Sequence, residues 1–331
     1  MEESRAKGKN RERSVDWTQL GRDRLLALAG LDVQFVAAEG DYVYWQDERG
    51  LRHRALDLVG GAGALLLGHN HPAMVSAALE HFHERRPLLV QGARRGPAEQ
   101  LRRALAERIR RETDREYDVL LLSTGTEAIE AALKHARLEF LERQKAAHSE
   151  LVSKLRQWKR RIQQGTWSPD TAFLRECERT LRVPRIEDFD ALHHALLAKN
   201  APALEHAGHV LAAEGGFHGK TMGALAATWN PDARLPFVRG ASSVRFLRSG
   251  DTLQSIDEET LETLYDVELD PPAIVRKPFS TIVCMVLEPI RGEGGVFEVD
   301  EAMVRDIQTF RAAHPEVPII VDEIQTGLGR T

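Results

Sequence analysis

The sequence predicts an α/β fold with a mostly parallel sheet covered by helices on both faces, and three observations carry that expectation. From residue 97 onward, helical stretches alternate with continuous apolar runs, YDVLLLS (117–123), HVLAAEG (209–215), STIVCMVLEP (280–289) and VPIIVDE (317–323). Strands buried on both faces read as unbroken apolar runs, whereas half-exposed strands alternate. Each run also ends in glycine, hydroxyl or charged residues, as expected where ligands collect at the carboxyl ends of parallel strands.

The chain opens with MEESRAKGKNRERS, and residues 1–15 read as disordered; this stretch is too charged for the apolar segment of a signal peptide. WTQLGRDRLLALAG (17–30) has helical spacing, and QFVAAEGDYVYWQDERGLRHRALDL alternates around the turn signals EGD and DERG, as a small antiparallel meander does. After the glycine-rich GGAGALLLGHNHP, Asn70 and Pro72 suit the start of the helix PAMVSAALEHFHER. His69, His71, His81 and His83 are not expected to hold a metal. No carboxylate or cysteine joins them at ligand spacing, and a helix-start role accounts for the first pair.

Between the first two strand runs, residues 138–207 show helical spacing and no convincing strand. Leu138, Leu141, Leu151, Leu155, Trp158 and Ile162 keep one face apolar, so the helix that begins at Thr126 is expected to continue to about residue 164. The basic cluster Lys154, Arg156, Lys159, Arg160 and Arg161 could dock an acidic protein partner; a solvated helix face is the plainer use.

With 331 residues, 42% hydrophobic residues and a net charge of −5, the composition gives no basic excess for a nucleic-acid partner. No apolar run approaches the roughly 20 residues that span a bilayer, so a cytoplasmic protein without membrane contact is expected. Cys177 and Cys284 lie far apart, and Cys284 reads as a small core residue.

The polar residues after the apolar runs form a chemically consistent set. STGTEAIEAALKHAR follows the first, with Gly125 allowing a tight turn and Thr126 and Glu127 starting a helix, whose free amides suit a phosphate. GGFHGKT follows the second and sets Phe217, His218 and Lys220 on glycine-rich backbone; Phe217 could stack on a flat heteroaromatic ring. EPIRGEGG brings Glu288 and Glu293, and DEIQ brings Asp322 and Gln325. A carboxylate facing a pyridine nitrogen would keep that nitrogen protonated and make the ring an electron sink.

TGTEAIEAALKHAR, FHGKTMGALAAT, EPIRGEGGVF and VDEIQTGLGRT, in that order, resemble the successive motifs of the class III aminotransferases. EGDYVYWQDERG and LDLVGGAGALLLGHNHP resemble the family's N-terminal segment. The resemblance implies a fold type I large domain over 76–331, interrupted by the helical insertion 138–207, and the N-terminal segment of a small domain over 16–75. It implies pyridoxal 5'-phosphate as cofactor, with Gly125 and Thr126 at the phosphate, Phe217 and His218 at the ring wall, Asp322 at the ring nitrogen and Gln325 at the phenolic oxygen. Lys220, Glu288 and the gating carboxylate Glu293 would lie on the substrate side, with Lys220 close to Glu288. A homodimer that moves an amino group from an amine or ω-amino acid to a 2-oxo acid, by a ping-pong cycle, is the implied activity. Aminomutase or decarboxylase chemistry on the same scaffold is the alternative, as is a non-catalytic relative used for binding or assembly.

Three departures qualify the likeness. Lys220 stands where many members have arginine, and Arg291 where glutamine is common. A lysine lacks the bidentate fork that grips a carboxylate. The insertion 138–207 is much longer than the family's usual connection there, so no known specificity carries over. The family's Schiff-base lysine follows DEIQ by a few dozen residues, so these 331 residues are expected to be a fragment of a longer enzyme and without turnover alone. A dinucleotide-binding fold is discounted, because no G-x-G-x-x-G follows any of the strand runs.

Overall fold

The apolar run after Thr281 forms the best buried strand of the protein. In the computed structural model, which describes residues 24, 26–28, 32–47, 49–88, 92, 95–238, 243–248 and 250–330, every residue of Ile282–Leu287 is buried. The expected disordered start, 1–15, lies outside the described residues. Of the helix expected over 17–30 only Arg24, Leu26, Ala27 and Leu28 are described, and these are helical. By contacts the chain divides into two units, 1–93 and 94–331; the boundary at 75/76 drawn from the family pattern uses a different criterion.

In the first unit β1 (Phe35–Glu39), β2 (Tyr42–Gln46) and β3 (Arg52–Leu56) form the expected antiparallel meander. The second turn is held by Asp47, whose Oδ1 accepts the amides of Arg49 and Leu51 at 3.0 and 2.9 Å. Helix α1 (Pro72–His83) is capped by His71, while Asn70 takes a left-handed φ of 51° and donates to the Ala38 carbonyl. His69 serves no helix-start role: its Nε2 pairs with Asp57 Oδ2 at 2.8 Å, because the loop 57–69 returns that carboxylate to it.

The second unit runs α2 (Gly96–Thr113), α3 (Gly125–Gln163), α4 (Thr171–Leu181), α5 (Phe189–Leu204), β4 (His209–Ala213), α6 (Met222–Ala227), α7 (Pro231–Arg234), β5 (Val244–Leu247), α8 (Leu253–Thr260), β6 (Leu261–Leu269), β7 (Pro272–Ser280), β8 (Ile282–Leu287), β9 (Ile290–Arg291), β10 (Phe297–Glu298), α9 (Glu301–Ala313) and β11 (Ile319–Val321). The main sheet is parallel, in the order β11-β8-β4-β5. Met285 and Leu287 cluster with Leu253, Ile256 and Phe310 of α8 and α9, while Cys284 and Val286 cluster with residues of α3 such as Phe140 and Ile129. Helices therefore cover both faces, and each large side chain buried between them contributes about 1.5–3 kcal/mol.

One expected strand does not form. Residues 117–122 are without regular structure, and Leu120, Leu121 and Leu122 are exposed by 73, 37 and 44%. An apolar run becomes a strand only when a neighbour completes its ladder, and among the described residues none pairs with it. Its tie to the fold is the bond from Arg102 Nε to the Val119 carbonyl, 2.6 Å.

Conversely, the β6–β7 hairpin, paired antiparallel through nine positions, was not expected. Alternation in LETLYDVEL and the turn residues Asp270, Pro271 and Pro272 were its signal. The segment 138–207 contains three helical pieces and no strand, as expected. It does not form one peripheral block, however. Phe140 packs on β8, and Arg143 donates to the Ile282 carbonyl at 2.8 Å, so the first part of the segment belongs to the sheet. From Leu151 onward the chain makes a second core with the hairpin, centred on Leu155, Trp158, Leu181, Leu192 and Val267. Three of the five cluster cations are engaged within the chain: Lys154 with Asp266, Lys159 with Asp190 and Arg161 with Asp270.

Candidate functional site

Four loops meet at the carboxyl ends of β4, β8 and β11. The first is the start of α3. A 39-residue helix leaves its first amides without intrahelical partners, and a capping box takes some of them: Glu127 Oε2 accepts Ser123 N and Thr124 N, each at 3.0 Å, and Thr124 Oγ1 accepts Glu127 N at 3.3 Å. The amides of Gly125 and Thr126 are left without an acceptor among the described residues. Gly125 lies close under Ile324, since a Cβ there would stand 2.6 Å from Ile324 Cδ1 and would displace that side chain.

The second loop follows β4. Gly219 has φ 121°, and a Cβ on it would stand 2.1 Å from Thr126 Oγ1, so only glycine lets this loop touch the helix start. The Phe217 amide donates to Glu288 Oε2 at 2.9 Å, and the His218 amide to Thr228 Oγ1 at 3.0 Å. His218 Nδ1 and Asp322 Oδ2 are 2.9 Å apart, with side chains 0 and 3% exposed. Asp322 is delivered by β11, where its amide bonds the Leu287 carbonyl at 2.7 Å and its Oδ1 accepts the Ile324 amide at 3.2 Å. A carboxylate only accepts, so the proton of the pair is assigned to Nδ1. His218 Nε2 is then buried without a partner among the described residues.

Glu288, third in the set, is buried, and burial pushes its carboxyl up against the opposing pull of the Phe217 and Gly292 amides; the neighbouring Asp322 charge adds to the rise. Gln325 abuts the loop 289–295, since a Cβ on Gly292 would lie 2.1 Å from its Oε1. A cavity of about 780 Å³ opens beside the cluster, lined by Trp229, Arg291, Phe297 and Met303 among others, with Glu288 common to both.

Gly125, Thr126, Phe217, His218, Asp322, Gln325 and Glu288 are therefore brought to one end of the sheet. Two residues behave otherwise. Lys220 does not meet Glu288: it is exposed and unpaired among the described residues, and the Glu288 carboxylate accepts the Phe217 and Gly292 amides instead. Glu293 is exposed on the turn after β9 and is also unpaired there.

Glu130 and Thr221 escaped the sequence reading. Glu130 accepts Thr221 Oγ1 at 2.9 Å and the Ala224 amide at 3.0 Å, holding the second loop onto α3. Its place four residues after Thr126, one helical turn along the same face, was the available signal.

The family model for Aminotransferase class-III matches residues 29–331. The chain belongs to the class III aminotransferases. Acetylornithine aminotransferase of Methanopyrus kandleri is 27% identical over 302 residues, which cover 90% of this chain and 53% of that protein. The enzyme of the same name from Corynebacterium efficiens is 41% identical over 122 residues, 37% of this chain and 26% of its own. Among solved structures, ornithine aminotransferase of Toxoplasma gondii superposes with a TM-score of 0.55 at 20% identity, and a thermostable (S)-enantioselective omega-transaminase of Thermomicrobium roseum with 0.54 at 21%. The alignments cover 93 and 92% of this chain but 53 and 55% of those chains. They show the α/β fold of the fold type I transaminases. The chain spans about half the length, or less, of these class III relatives.

Proposed function

We propose that the protein is a pyridoxal 5'-phosphate-dependent aminotransferase that moves an amino group from an amine or ω-amino acid to a 2-oxo acid. The observation that carries this reading is the meeting, at one end of the sheet, of two unpaired helix-start amides with the buried carboxylate of Asp322, nearly 200 residues further on. The donor set fits the cofactor: amides at a helix N-terminus bind a phosphate dianion, and a fixed carboxylate binds a protonated ring nitrogen. When bound, the cofactor supplies an electron sink for cleavage beside the amino group.

The chain's own residues then have distinct tasks. Gly125 and Thr126 donate their amides to the phosphate. Asp322 holds a proton on the ring nitrogen, and His218 keeps that carboxylate in place. Phe217 lies against the ring, and Gln325 hydrogen-bonds the phenolic oxygen. Glu288 flanks the substrate; the family resemblance alone assigns Glu293 and Lys220 to that side, where a lysine would offer a single point charge in place of an arginine's fork. A cytoplasmic homodimer belongs to the same proposal and rests on the family resemblance.

Titration with pyridoxal 5'-phosphate and with pyridoxal, followed by absorbance, tests the site. Two charge-assisted bonds to phosphate should favour the phosphorylated form roughly a hundredfold. Equal affinity for the two would refute the assignment.

A further inference from the structure

The hydroxyls of Thr126 and Thr221 are 3.1 Å apart, and Thr221 Oγ1 donates to Glu130 Oε2 at 2.9 Å. A carboxylate oxygen only accepts, so the single Thr221 proton points at Glu130, and the bond between the two hydroxyls has to be donated by Thr126. Thr126 Oγ1 also accepts the Thr221 amide at 3.3 Å. Glu130 accepts two further amides, Gly223 at 3.3 Å and Ala224 at 3.0 Å. There is no slack around these groups: a Cβ on Gly219 would stand 2.1 Å from Thr126 Oγ1, and one on Gly223 2.7 Å from Glu130 Oε2.

We infer that Glu130 is a positioning residue, which directs a hydroxyl chain from Thr126 through Thr221 and so clasps the loop carrying Phe217 and His218 to the start of α3. The Thr126 hydroxyl has spent its proton on the clasp, so an anion at the helix start meets the amides of Gly125 and Thr126 and not that hydroxyl. Only this last consequence rests on the proposed cofactor reading. The clasp itself is a property of the protein without any ligand.

The test has two arms. In the first, amide hydrogen exchange of the ligand-free protein is compared for wild type, Thr126→Val, Thr126→Ser, Thr221→Val, Glu130→Ala and the double variant Thr126→Val with Thr221→Val. Thr126→Val and Glu130→Ala should each speed exchange at Thr221, Gly223 and Ala224 roughly threefold to tenfold. Thr126→Ser should retain wild-type protection, and the double variant should exceed either single variant by less than the product of their effects. Unchanged exchange in Thr126→Val and Glu130→Ala, or fully multiplicative effects in the double, would overturn the clasp. In the second arm the ratio of affinities for pyridoxal 5'-phosphate and pyridoxal is measured. Thr126→Val should weaken both forms alike through the loosened loop, and a tenfold fall confined to the phosphorylated form would overturn the inference by showing that the hydroxyl donates to phosphate. A wild-type ratio near one would count against the proposed function, and the exchange arm would still decide the clasp.

Discussion

Asp322 and His218 are bound to each other more closely than either is to solvent, and that pairing sets what a single substitution does. Replacing Asp322 by alanine leaves a buried ring with no partner at either nitrogen. The expected loss is about 1–3 kcal/mol of stability, read from denaturant unfolding, together with weaker cofactor binding; a variant as stable as wild type would show that the pair contributes nothing. Glu288 gives a pH signature. Burial raises its carboxyl from the ordinary 4.5, so its contribution to stability is fully present below about 4.5 and is lost as pH rises through the raised value. Glu288→Gln cannot titrate, and wild type should lose stability relative to it over that window. Parallel stability curves would contradict the assigned burial effect. The positions of Phe217 and Asp322 were legible because each follows an apolar run that becomes a strand, and that of Gly125 because a glycine and hydroxyl turn precedes a long helical pattern. The exposure of Lys220 was not, because it depends on which donors the folded backbone brings to Glu288, and that is not written in residue type.

At the scale of elements, the main sheet was legible where a continuous apolar run found a partner, as in β4, β8 and β11, and illegible at 117–122, where pairing and not composition decides. The segment 138–207 is helical as expected, and its first residues pack on the sheet. Helix α3 runs unbroken from the candidate site into the second core, so removing 138–207 would strip Phe140 and Arg143 from the sheet as well as exposing the hairpin. A point substitution separates the two cores more cleanly. Trp158 is fully buried against Trp167 and Phe173, at ring distances of 5.3 and 5.6 Å. Its replacement by alanine should cost about 3–5 kcal/mol and leave cofactor affinity unchanged. Lost cofactor binding in a protein that is still folded would mean that the second core supports the site directly.

For the whole molecule, ordered motifs fixed the family before any contact was known, since four motifs in sequence are far more specific than any one strand-to-helix turn. The contact between the start of α3 and the loop after β4 could not be read that way, because it depends on which glycines let two backbones approach. The central claim is that these remote segments build one phosphate and ring site. The most direct measurement is amide nuclear magnetic resonance of labelled protein during addition of pyridoxal 5'-phosphate and, separately, of pyridoxal. The account predicts that the Gly125 and Thr126 amide signals move with pyridoxal 5'-phosphate and not with pyridoxal, while the Asp322 amide responds to both. Unmoved Gly125 and Thr126 signals at saturating pyridoxal 5'-phosphate would contradict it.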